Sequence, residues 1–103
     1  MTSKQRAYLK KLSHDLDTNF QVGKGDISDN MTEQISNALE ARELIKLRVL
    51  DNSSYTAREA AEIIAQKTDS EVVYTIGSRF VLYRVSEKHH KIELPQSSKK
   101  GDK

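Results

Sequence analysis

The sequence predicts an α+β domain of order α-β-α-β-α-β-β, a four-stranded mixed sheet with helices packed on one face. Three observations predict it. Apolar residues recur at helical spacing in three segments, and strand-like stretches separate them. Glu43 to Leu50 alternates, with Ile45, Leu47 and Val49 pointing one way and Lys46 and Arg48 the other. Gly77-Ser78, set between two β-rich runs, fits a two-residue turn that wants glycine first. The early strand–helix–strand steps favour right-handed crossovers and parallel pairing, and the last two strands form a hairpin.

The first helix spans Lys4 to Leu16, with Tyr8, Leu9, Leu12 and Leu16 on its core side. Lys4, Arg6, Lys10 and Lys11 fall on the opposite arc with His14. Asp15 to Asn19 breaks it, because Asp, Asn and Thr compete with helical backbone bonds. Phe20 and Val22 mark a short strand that ends at Gly23. Ser28 is the expected N-cap of the second helix, with Asp29 in its first turn and Met31, Ile35, Ala38 and Leu39 as its apolar stripe. Thr56 and Glu59 form a capping box that opens the third helix. Strands follow at 71–76 and 79–85, with Ile92 and Leu94 as a packing arm. Residues 1–95 read as one domain and 96–103 as a disordered basic tail.

A chain of 103 residues suits one domain with a modest core. It has no cysteine, so it offers no disulfide, thiolate metal site or cysteine nucleophile. No apolar run reaches membrane-spanning length, and the polar N-terminus has no signal-like apolar region. A cytoplasmic location without a membrane partner is the expectation. Residues 1–24 carry five Lys/Arg against two acids, net +3; residues 25–78 carry five against ten, net −5; residues 79–103 carry seven against three, net +4. If the basic ends meet in space, the face they form attracts polyanions; otherwise they are solvated charges and a lysine-bearing tail.

Catalytic patterns are weak. His89 and His90 point to opposite sides of an extended segment, and neighbours such as Ser13 and His14 do not face each other on a helix. No cofactor and no small-molecule substrate is expected. Gly23-Lys24-Gly25-Asp26 is not a Walker loop, and alone it is an ordinary turn. Placed at a helix start beside a basic helix, a basic sheet face at Lys46 and Arg48, and Arg79 on the hairpin, it becomes a candidate phosphate contact. The candidate RNA-contacting set is therefore Lys4, Arg6, Lys10, Lys11, Gly23, Lys24, Gly25, Asp26, Lys46, Arg48 and Arg79. Few aromatics are available, which favours phosphate and shape over base-by-base reading.

Four stretches, Lys4–Leu9, Phe20–Gly25, Ala38–Lys46 and Gly77–Arg84, resemble the YhbY-type single CRM-domain proteins of the chloroplast RNA splicing and ribosome maturation class. The resemblance covers roughly residues 3–95. It implies a fold like the C-terminal domain of translation initiation factor 3 and a non-catalytic RNA-binding role. Bacterial members of that family associate with precursors of the large ribosomal subunit, so ribosomal RNA is the implied partner of an expected monomer. The alternative is a protein-interaction module that docks on a ribosomal protein or assembly factor. The resemblance makes Gly23, Lys24 and Gly25 the family's glycine loop, compared with the KH clamp loop. Asp26 stands where that loop usually has its last glycine. Its charge opposes a phosphate, and its expected role is to bond its own downstream N–H groups as a turn or cap residue.

Overall fold

The computed structural model describes residues 1–95. The tail expected at 96–103 lies outside the described residues. Seven elements follow in the predicted order: α1 (Ser3–Ser13), β1 (Thr18–Val22), α2 (Asp29–Arg42), β2 (Leu44–Val49), α3 (Ala57–Thr68), β3 (Glu71–Ile76) and β4 (Arg79–Tyr83). Each helix start is capped. Thr2 with Gln5 and Thr56 with Glu59 form reciprocal capping boxes, and the Ser28 hydroxyl accepts from the Met31 N–H.

The sheet runs β1-β2-β4-β3, with β1 parallel to β2 and both other pairs antiparallel. Only the first strand–helix–strand step produces a parallel neighbour, because β4 inserts between β2 and β3. Composition explains the insertion. Phe80 to Tyr83 is buried throughout, whereas β1 and β3 carry exposed polar residues and suit the edges.

The α+β class and the mixed sheet are as predicted, but the helices are not confined to one face. On one side α2 and α3 pack Ile35, Leu39, Ala60, Ala61 and Ile64 against Ile45, Leu47, Phe80 and Leu82. On the other, α1 places Leu9 against Leu44, Val73, Val81 and Tyr83, joined by Leu12, Leu16, Ile92 and Leu94. Lys46 and Arg48 report only the wet half of β2; Leu44, Val81 and Tyr83 make the rest of that face apolar and demand a cover. The cover lies where β2 and β3 begin, so the end of the face beyond Lys46 stays open. Tyr8, expected in the core stripe of α1, is 37% exposed. Ser13 is buried in this helix instead, its hydroxyl 3.0 Å from that of Tyr74.

Two charged side chains tie the layers together. The Arg84 guanidinium donates to the Ser36 hydroxyl (3.0 Å), the Ser36 carbonyl (2.8 Å) and the Thr68 carbonyl (2.7 Å), joining α2, α3 and the end of β4. Glu43 ends α2 with φ +69° and is fully buried. Its carboxylate accepts from the N–H groups of Ser86 (2.7 Å), Lys91 (2.7 Å) and Ile92 (2.8 Å), and His90 Nδ1 lies 2.8 Å away. Burial pushes this carboxyl up, but the three N–H donors and His90 outweigh it and hold its pKa at about 2. The chain after β4 is thereby pinned across the second face of the sheet.

Candidate nucleic-acid interface

The ends of β1 and β2 and the β3–β4 turn meet at one edge of the sheet. The Leu50 N–H donates to the Val22 carbonyl (2.9 Å), and the Val49 N–H donates to the Ser78 carbonyl (2.7 Å). The Gly23-Lys24-Gly25-Asp26 loop leaves β1 at this edge. Gly25 has φ +95°, a conformation that any side chain would strain, so this glycine sets the turn. The N–H groups of Lys24, Gly25 and Asp26 find no backbone acceptor among the described residues. Lys24 and Gly25 are exposed, so these donors can face a solvent anion.

Ser28 caps α2 as predicted, so two residues, Ile27 and Ser28, separate the loop from the helix. Ile27 is buried between them, and Ser28 and Asp29 occupy the start of α2. The loop's own N–H groups, rather than the helix terminus, are therefore what an anion would meet. Asp26 differs from its expected role. Its carboxylate accepts from the Tyr55 hydroxyl at 3.2 Å, which ties the loop to the β2–α3 connection instead of to N–H groups downstream. That bond, with the desolvation and negative charge around it, raises the tyrosine's pKa.

The open end of the second sheet face adjoins the loop. Across it the register places Gln21 beside Arg48, Arg48 opposite Arg79, and Arg79 opposite Ile76. One step further in, Lys46 pairs with Val81 and Val81 with Tyr74. Lys10 reaches this row from α1, its ammonium 5.1 Å from the Tyr74 ring centre, a cation–π distance. Ile76 is 62% exposed at the open corner. Two like charges directly opposite on a sheet destabilise it. Arg48 and Arg79 hold that arrangement, and among the described residues neither forms an ion pair, although Asp51 lines the same depression as Arg48.

The cations of this region form no ion pair among the described residues. Among the described residues, the ion pairs join Glu71 to the N-terminus, Arg58 to Glu62, Lys67 to Asp29, Arg84 to Glu40, and His90 to Glu43 and Glu93. None uses Lys4, Lys10, Lys11, Lys24, Lys46, Arg48 or Arg79. Thus Lys10, Lys46, Arg48 and Arg79 share one sheet face, with the loop and Lys24 at its edge. Lys4 and Arg6 lie apart, on the turn of α1 that meets the start of β3. The Arg6 guanidinium donates to the Val72 (2.6 Å) and Val73 (2.7 Å) carbonyls, so part of its donor capacity serves the fold at the bulge of this edge strand.

Sequence reasoning missed the residues that hold this surface in place. Tyr55 braces the loop, Tyr74 seats Lys10 and Ser13, and Glu43 anchors the arm that packs on the same face. Of these only Glu43 leaves a usable signal, as an acidic residue directly preceding the apolar pair Leu44-Ile45.

Residues 1–84 match the CRS1 / YhbY (CRM) domain. A Bacillus subtilis relative named Probable RNA-binding protein YqeI is 46% identical over 92% of this chain and 99% of its own length. A Haemophilus influenzae relative named RNA-binding protein is 35% identical over 93% of this chain and 96% of its own. The solution structure of the Staphylococcus aureus protein SAV1595 superposes with a TM-score of 0.76 at 48% identity, covering 92% of this chain and 99% of that one. With the domain matched over residues 1–84 and near full-length similarity to these relatives, the chain belongs to the CRS1/YhbY (CRM) domain family.

Proposed function

We propose that this protein binds RNA through the Gly23–Asp26 loop and the cationic sheet face beside it. The observation that carries the reading is that Lys24, Lys46, Arg48 and Arg79 form no ion pair among the described residues and lie toward the sheet end where three exposed loop N–H groups find no backbone acceptor among those residues. Such a surface captures phosphate backbone, which supplies most of the affinity of RNA contacts and little of their sequence preference. The relatives' names, RNA-binding protein in each, support the same reading.

The RNA in this proposal is ribosomal, within precursors of the large subunit, and the protein assists their assembly as a non-catalytic monomer in the cytoplasm. The resemblance described above supports this finer reading. Sedimentation of a cell extract tests it. The protein is expected to travel with large-subunit precursors at low salt and to leave them at high salt or after nuclease treatment. Co-sedimentation that survives complete RNA digestion would instead place it on a protein partner, and absence from every ribosomal particle would remove the ribosomal assignment.

A further inference from the structure

A groove runs between the outer edge of β1 and α2. β1 is a terminal strand, so its outward N–H and C=O groups pair with no other strand of the sheet. Four consecutive residues, Thr18 to Gln21, line one wall, which makes the strand's edge part of the lining; Asn30, Met31 and Gln34 line the other. The space is about 480 Å³, within the size range of small-ligand sites. Among the described residues no charged one lines it, although 31% of the chain is charged. Phe20 and Met31 are half-buried against the core and supply an apolar floor. Asn30 and Gln34 lie one helical turn apart and are exposed. The loop from Gly23 to Asp26 connects the two walls, so one end of the groove closes on the candidate phosphate site.

We propose that this groove holds an unpaired base of the bound RNA, adenine in preference, with its flanking phosphate on the Gly23–Asp26 loop. The proposal rests on the RNA-binding reading above. A neutral lining suits a neutral base and leaves the phosphate to Lys24. Side-chain amides present a donor and an acceptor together, the pattern that pairs with N6 and N7 of adenine. An apolar floor takes the face of an unstacked base, as single-stranded RNA recognition requires. An extended peptide could also use a strand edge. The cation and free N–H groups at the groove's end favour the nucleotide.

The test is fluorescence anisotropy with short oligo-A, oligo-U and oligo-C at one fixed salt concentration. The proteins are wild type, Asn30→Ala/Gln34→Ala and Lys24→Ala, each checked by thermal unfolding. Wild type is expected to bind oligo-A about five-fold or more tightly than oligo-U. The amide double variant should compress that ratio to about two-fold or less, while Lys24→Ala weakens all three oligomers and keeps their order. Equal binding of all three by wild type, or an oligo-A to oligo-U ratio in the double variant that stays at the wild-type value, would overturn the base-reading groove and leave the phosphate surface standing. Failure of every oligomer to bind at low salt would overturn both. A protein partner that survives nuclease treatment and is lost only with Asn30→Ala/Gln34→Ala would assign the groove to a peptide strand and overturn the proposal.

Discussion

Glu43→Ala is expected to destabilise the protein by about 3 kcal/mol and to lower its Tm by more than about 10 °C. The substitution removes the acceptor of three N–H groups in the arm and takes from His90 the nearer of its two carboxylate partners. Each buried donor left without a partner costs roughly 1–3 kcal/mol, reduced here wherever the loosened arm admits water. The arm also carries Ile92 and Leu94, so their packing against the second core loosens with it. The acid limb of the stability profile gives a second readout. The folded carboxyl titrates at about 2, whereas an unfolded glutamate titrates at about 4.3. Its contribution is therefore complete above the unfolded value and lost as pH falls through the folded one. It is on the order of 2 kcal/mol once solvent screening is allowed for. His90 acts in the opposite sense. The hydrogen bond to Glu43 raises its pKa, so its contribution is complete below the ordinary histidine range and lost as pH rises past the raised value. Chemical denaturation from pH 2 to 8 measures both limbs. A Glu43→Ala variant within about 1 kcal/mol of wild type, with an unchanged acid limb, would show that the arm is not anchored there.

The triple variant Lys24→Ala/Arg48→Ala/Arg79→Ala is expected to bind single-stranded RNA roughly 100-fold more weakly at about 0.1 M salt. Three phosphate contacts account for that factor through the counterions they release. Stability should hold or rise slightly, because Arg48 and Arg79 face each other across β2 and β4 and their repulsion disappears. The combination of lost affinity with retained folding separates a binding surface from a structural one. Titration and thermal unfolding of the same samples provide both numbers. A loss under about three-fold would move the interface to Lys4, Lys10 and Lys11 on α1.

Local chemistry made most of the fold legible. Thr56 with Glu59, Ser28 before Asp29, and Gly77-Ser78 each specify a cap or turn within four residues, and each sits where its pattern placed it. The alternation in β2 was equally plain, because its side chains segregate at every step. What failed to read through was long-range. Nothing local says that β4 inserts between β2 and β3, since strand order follows from competing burial across the sheet. Nor does Lys46-Leu47-Arg48 reveal that its polar face is shared with Leu44, Val81 and Tyr83 and closed at one end by α1. The candidate site divides in the same way. Gly25 and Lys24 were visible because backbone freedom and charge are residue properties. The Tyr55 brace on Asp26 spans 29 residues and the Glu43 anchor on Ile92 spans 49, and no periodicity encodes either.

Electrostatic capture of RNA backbone releases counterions, so affinity must depend on salt. Binding of wild type to a single-stranded RNA should fall linearly in a plot of log affinity against log salt, with a slope of roughly −3 to −5 for about 4–6 phosphates neutralised. A flat plot from low to moderate salt would rule out electrostatic capture.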